Sequence, residues 1–324
     1  MTLSKGATPG DKIIDWHSHW IPPSLAEQVA RHRTLPTAPE FFDADARLRH
    51  MDAGGIERQV ISWPTTFGFD ALLPVREASA FYREYNTLLG ELIERRPDRF
   101  SGLAAVPMAD PGAAAAELTR AQAGLGLIGA VIPADAFLTV AGAELYAPLL
   151  AAAQRLRSHI YVHPGPTGLP ASGHTPIEFL RVDSSNGRWL LEAGTRLGAA
   201  ALTLETGGIL DNYPSVTVQV AMLGGHLAWI AGTMAERASK HSNESPLAFP
   251  LKRIFVDTGI MKPGGRELSI AVSVFGADRI LFGSDFPQFG TQQPSTALQN
   301  CGLDGDIQRM ILLENGSKLL SRKV

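Results

Sequence analysis

Residues 12–20 read KIIDWHSHW, and the fold turns on them. The run Lys12-Ile13-Ile14-Asp15-Trp16 leads straight into His17-Ser18-His19. Its length and β-branching favour a strand over a buried helix. An open doubly wound sheet usually follows its first strand with a glycine-rich phosphate loop. Here two histidines stand in that place. Seven further runs of the same kind recur at 59–63, 102–106, 128–132, 159–163, 216–220, 254–257 and 279–283. Segments rich in Ala, Leu, Glu and Arg lie between them, with helices predicted over 77–95, 113–124, 143–157, 189–210 and 265–275. Eight strands alternating with helices predict an α/β fold, a (β/α)8 TIM barrel, with the open sheet as the alternative.

The length of 324 residues allows two domains, but barrels of this size commonly form one. No linker or repeat divides residues 1–324, so a single domain is expected. Hydrophobic residues make up 45% and charged residues 19%, enough for a large core and too apolar for disorder. The net charge of -3 argues against nucleic acid, which needs clustered Lys and Arg. Cys301 is the single cysteine, so no intrachain disulfide or thiolate zinc site is expected. That fits a cytoplasmic protein. Residues 1–11 lack an apolar signal core, and no stretch is long and apolar enough for a membrane span. Residues 31–47, 164–186 and 284–299 read as long loops, all on the carboxyl face of a barrel, where active sites form.

Residues two apart on a strand face the same side, so His17 and His19 can share one metal ion. Two loop histidines at the surface are the plainer alternative. His163 closes the fifth run and Asp285 follows the eighth. Alone, each reads as a turn residue or a cap. Together the four make a His3Asp set at one end of the barrel. Such a set suits zinc, with manganese or iron also possible, and a bound water would reach a pKa of about 7.

These residues belong to a wider pattern. DWHSHW at 15–20, MDAGGI at 51–56, RFSGLAAVPMADP at 99–111 and YVHP at 161–164 occur in order. LDNYPSV at 210–216, FVDTGI at 255–260, LFGSDFP at 281–287 and NGSKLL at 315–320 follow. The ordered set resembles the amidohydrolase superfamily, in its aminocarboxymuconate-semialdehyde decarboxylase-like branch. PTTFGF at 64–69 is similar to a loop near the substrate there. The resemblance implies a barrel with one catalytic metal held by His17, His19, His163 and Asp285, and a homodimer. It implies a supporting role for Asp257.

One position departs from the family. Where a strand-six histidine usually acts as acid and base, this chain has Met222, in Val220-Ala221-Met222-Leu223-Gly224-Gly225-His226. A thioether cannot transfer a proton. His226 is either a capping or core residue or a replacement base that swings back. The resemblance implies an arginine that holds the substrate carboxylate, with Arg31, Arg33, Arg181 and Arg188 as candidates, but no motif fixes the match and all four, like His174, have the plainer reading of ordinary surface groups. Trp16, Trp20, Phe67, Phe69, Phe286 and Phe289 are candidates for an aromatic pocket wall, with Trp16 read as core.

The resulting expectation is a metal-dependent non-oxidative decarboxylase of a small unsaturated or aromatic carboxylic acid. The alternative is a hydrolase of an amide, ester or lactone with Asp285 as base, which Met222 favours. The absence of a lysine in Ile132-Pro133-Ala134-Asp135 argues against a two-metal, carbamylated-lysine site. A barrel of altered chemistry that partners an active relative, or one that handles oxygen, is a minor expectation.

Overall fold

The computed structural model describes residues 12–169, 185–238, 240, 251, 253–259, 265–288, 298 and 301–322. Its strands are β1 (Ile13–His19), β2 (Ile56–Ser62) and β3 (Phe100–Gly102, resuming as Ala104–Ala105). They continue as β4 (Gly129–Pro133), β5 (His159–His163), β6 (Thr217–Val220), β7 (Phe255–Asp257) and β8 (Ile280–Leu281). Each pairs in parallel with the next. Across the break in β3, Leu103 N–H donates to Ile61 O at 2.9 Å and Ile128 N–H to Gly102 O at 2.9 Å. The ring closes where Trp16 N–H donates to Phe282 O and His19 N–H to Phe286 O, both at 2.8 Å. Closure leaves no open edge, and the fold is the expected TIM barrel.

The strands fall within a few residues of their expected positions. β1 runs further than its β-branched core because the bonds to Phe282 and Phe286 keep it paired through both histidines. The helix expected over 143–157 is two, Val140–Glu144 and Ala147–Leu156, because Pro148 opens a new helix in its first turn. The loop expected over 31–47 ends early. Asp43 caps the helix Ala44–Gly54 by accepting from Asp45 N–H at 2.8 Å and Ala46 N–H at 3.2 Å.

Alternation along β1 sorts the barrel into layers. Ile14 and Trp16 meet the C-terminal helix Asn315–Ser321 at Gly316, where a Cβ would stand 2.4 Å from Trp16 Nε1. Asp15, His17 and His19 face the other way. Beneath the histidines lies a buried polar layer. Asp15 accepts from Gln59 Nε2 at 2.9 Å and from Ser284 Oγ at 2.6 Å. Gln59 accepts from Arg47 at 2.9 Å. Gln219 donates to Asp257 at 2.6 Å and meets His159 Nε2 at 3.1 Å. Mutual bonding is what makes so many buried polar groups tolerable. Among the described residues, no helix is long and apolar enough to cross a membrane.

Strand spacing sets a test of the barrel. A Cβ at Gly129 would stand 1.7 Å from His159 O, inside the neighbouring strand. Gly129→Ala should therefore cost several kcal/mol or abolish soluble expression. Gly124→Ala meets nothing within 4 Å on an exposed helix turn. It should be neutral or stabilise by up to about 1 kcal/mol in urea unfolding.

Candidate metal centre

Four side chains meet at the carboxyl ends of the strands: His17 and His19 from β1, His163 from β5 and Asp285 beyond β8. All four are buried, and one nitrogen or oxygen from each lies within 4.8 Å of the others. His17 Nε2 and His19 Nε2 are 3.2 Å apart, and Asp285 Oδ1 is 3.2 Å from the first and 3.1 Å from the second. Ligand bonds of about 2.1 Å at tetrahedral angles place donors about 3.4 Å apart, so the cluster is the size of an ion's shell.

Outer partners turn the rings inward. Asp257 Oδ1 accepts from His17 Nδ1–H at 3.0 Å and from Gly259 N–H at 2.8 Å. Ser62 O lies 3.3 Å from His19 Nδ1. Thr65 Oγ1 donates its one proton to Pro164 O at 2.8 Å, so it must accept from His163 Nδ1–H, also at 2.8 Å. Each Nε2 is then left facing the cluster, the arrangement a metal-binding histidine needs. Asp285 adopts a left-handed backbone, φ 54°, as it enters the cluster. Such strain concentrates at functional sites.

The electrostatics match the geometry. Burial opposes charge on His17, but Asp257 and Asp285 outweigh it and push its pKa up to about 10. Burial raises the Asp285 carboxyl, yet His17 and His19 prevail and hold it well below the usual carboxylate range. Burial, with His19 and His17 beside it, holds His163 well below the usual histidine range, so it stays neutral. A carboxylate among imidazoles is a cation-seeking set.

A cavity of about 510 Å³ opens over the cluster. Its walls are mostly apolar, including Phe41, Phe67, Trp189, Leu190 and Met222, with Thr66 and Gln288 as polar points. Of the aromatic candidates, Phe67 is a wall. Trp16, Trp20, Phe69 and Phe286 are buried in packing, and Phe286 stacks on His50 at 4.0 Å. Phe41, Trp189 and Thr65 were not anticipated. The only sequence signal for Thr65 was its place in PTTFGF.

The structure does not bring His226 to the cluster. Met222, Leu223, Gly224 and Gly225 all have positive φ and turn the chain aside after β6. His226 N–H donates to Gly194 O at 3.1 Å, and its ring lies over Gly194, with Nδ1 3.4 Å from Thr195 Oγ1. It lines an adjoining cavity, while Met222 reaches the first. Arg31 pairs with Glu27 at the surface, Arg188 is exposed, and Arg33 donates to Phe67 O at 2.7 Å. Among the described lining residues there is no Lys or Arg. His174, Arg181 and Phe289 lie outside the described residues.

A closed parallel barrel with such a cluster at its strand ends defines the class, a single-metal barrel enzyme. The amidohydrolase family model matches residues 14–322, and the chain belongs to that family. The gamma-resorcylate decarboxylase of Rhizobium radiobacter is 30% identical over 263 residues, covering 75% of this chain and 76% of that protein. Decarboxylase orsB of Emericella nidulans is 26% identical over 292 residues, covering 85% of each. The crystal structure of a dihydroxybenzoic acid decarboxylase from Polaromonas sp. JS666, with bound manganese and the inhibitor 2-nitroresorcinol, shares the fold. Its TM-score is 0.76 at 24% identity, over 96% of this chain and 97% of that one.

The loop after β2 supports the metal cluster at one end and buries a carboxyl group at the other. Thr65→Val removes the acceptor for His163 Nδ1–H and should weaken metal affinity about 10- to 100-fold in a competitive chelator titration. Asp70, in the short helix Phe69–Leu72, accepts from Tyr82 Oη–H at 2.9 Å and Met108 N–H at 2.7 Å. Burial outweighs these bonds and pushes its pKa up to about 7, from 3.8. The folded state thus holds the Asp70 proton where the unfolded chain has lost it. That advantage is complete below about pH 4 and lost as pH rises through 7. Between pH 4 and 8 the wild type should lose up to about 4 kcal/mol relative to Asp70→Asn in denaturant unfolding.

Proposed function

We propose that the protein is a metal-dependent, non-oxidative decarboxylase of a small aromatic carboxylic acid. The buried His3Asp cluster at the floor of an aromatic-walled cavity carries this reading, in a chain 30% identical to a decarboxylase. His17, His19, His163 and Asp285 would hold one divalent transition ion. Three imidazoles and a carboxylate suit zinc and manganese alike, and the Polaromonas relative contains manganese. Bound there, the ion supplies positive charge for a carboxylate and a neighbouring hydroxyl.

The remaining chemistry falls to the chain. The bond from ring carbon to carboxylate breaks, carbon dioxide leaves, and the ring carbon takes a proton in its place. Phe41, Phe67 and Trp189 pack the ring and exclude water. Met222 cannot carry the proton, and His226 lines the neighbouring cavity. Asp285 is the one carboxyl group among the described lining residues; ionised at rest, it would take the acidic proton of the substrate and pass it to the ring carbon as the carboxylate leaves, and we assign this relay to it. The hydrolase alternative raised by Met222 is not favoured, since all three relatives above are decarboxylases.

The test is carbon dioxide release from hydroxybenzoic acids by metal-loaded protein. Release should stop with chelator and return with zinc or manganese. Asp285→Asn should lower kcat by about 100-fold or more. Metal-dependent hydrolysis of esters or lactones, without carbon dioxide from any acid tried, would overturn the decarboxylase reading.

A further inference from the structure

A string of hydrogen bonds leaves the metal cluster and runs toward the amino-terminal end of the barrel. It starts at His17, whose Nδ1–H donates to Asp257 Oδ1 at 3.0 Å. Asp257 Oδ2 accepts from Gln219 Nε2 at 2.6 Å. Gln219 Oε1 lies 3.1 Å from His159 Nε2, and His159 Nδ1 lies 3.0 Å from Thr217 Oγ1. His17, Asp257, Gln219 and His159 are all buried. His159 opens β5 and His163 closes it. The far end of the string is therefore about 13 Å along the strand from the cluster.

The bonding fixes the protons. Gln219 Nε2 also donates to Trp16 O at 3.3 Å. A carboxylate and a backbone carbonyl both require a donor, so the amide nitrogen must face them. The amide oxygen then faces His159, which must carry a proton on Nε2. A donor on that oxygen strengthens the N–H groups of the same amide, because bonds in a string polarise one another. Each link thus holds the next. His159 pins Gln219, Gln219 occupies Asp257 Oδ2, and Asp257 turns His17 Nε2 toward the cluster. The Trp16 ring packs edge-on against His159, 5.0 Å between centroids. Packing alone would be served better by an apolar side chain, since a buried imidazole must find partners for its nitrogens.

We propose that His159 is a positioning residue of the metal centre, acting through Gln219 and Asp257 on the orientation of His17. The proposal rests on the reading of His17, His19, His163 and Asp285 as a metal site and is independent of the reaction catalysed there.

The experiment compares zinc affinity in a competitive chelator titration of the wild type, His159→Leu and His159→Gln, beside denaturant unfolding of each. His159→Leu takes the donor from Gln219 Oε1 and should weaken zinc binding about 10-fold, the low end of the range for outer partners of a ligand. His159→Gln can place an amide N–H where Nε2–H stood and should keep the wild-type affinity. A packing role would lower the stability of both variants and leave the zinc Kd of the folded protein unchanged. Nitrogen-15 NMR of the histidine-labelled wild type needs no variant. There His159 should carry a proton on Nε2, and its ring signals should shift when zinc is added although it is no ligand. Equal zinc affinity of the wild type and His159→Leu overturns the proposal and leaves the metal site intact. A His159 proton found on Nδ1 alone does the same, and decides the matter if His159→Leu does not fold. A wild type that binds neither zinc nor manganese overturns the metal-site reading itself, and this proposal with it.

Discussion

Three imidazoles and a carboxylate are buried at one point on the barrel axis, and that burial governs the rest of the structure. An unpaired polar group in such a place costs several kcal/mol. Each ring therefore needs an outer partner, and the partners come from separate parts of the barrel. Asp257 ends β7, Ser62 ends β2 and Thr65 stands in the loop after β2. Their convergence requires a closed ring of strands. The loops must also approach closely: a Cβ at Gly165 would stand 2.5 Å from Thr65 O. That contact fixes the hydroxyl which sets the tautomer of His163.

The same demand reaches below the site. Asp15 has no place in the cluster, yet it accepts from His17 N–H at 3.1 Å and Ser284 N–H at 3.0 Å. It thereby ties β1 to the segment that carries Asp285. Arg47 completes the layer from the helix Ala44–Gly54, donating to Gln59 and to His19 O and lying over the Phe286 ring at 4.9 Å. Burial pulls its pKa down to about 10, so it remains charged at neutral pH. The polar floor is a brace that joins the first and last parts of the barrel.

The barrel was legible because most strands announce themselves as short β-branched runs between helix formers; β3, with Phe100–Gly102 and Ala104–Ala105, contains no β-branched residue and was read from its place in the alternation. The candidate metal cluster was legible because each member ends or closely follows one of those runs. The helix Ala44–Gly54 was hidden because ADARLRHMDAG has only Leu48 and Met51 as large apolar residues and carries no strong apolar stripe. Thr65 was hidden for a different reason. Its role exists only once two loops nearly 100 residues apart are in contact. His226 misled because sequence distance from Met222 says nothing of direction. Left-handed residues at 222–225 carry the chain onto Gly194, where a Cβ at Gly225 would stand 2.1 Å from Gly194 O. The helix beneath thus fixes where His226 lies.

Charge links these features to function. The described cavity walls contain no Lys or Arg, and Asp285 is negative. Without an ion, the Asp285 charge is offset by a protonated His17, and an aromatic carboxylate would meet an apolar surface with no net positive charge. With a divalent ion in the cluster, the sum of ion and Asp285 is positive, in a setting where charges are weakly screened. Affinity for an acid must then depend on the ion, and thermodynamic linkage makes the dependence mutual: an acid that prefers the loaded site also tightens the ion. The apolar walls would exclude water and accommodate the ring of the proposed substrate, while the sign of the preferred ligand follows from the cluster. This division explains how Met222 can sit in the wall. A thioether there adds no charge to the site and sets only the shape and polarity of the wall.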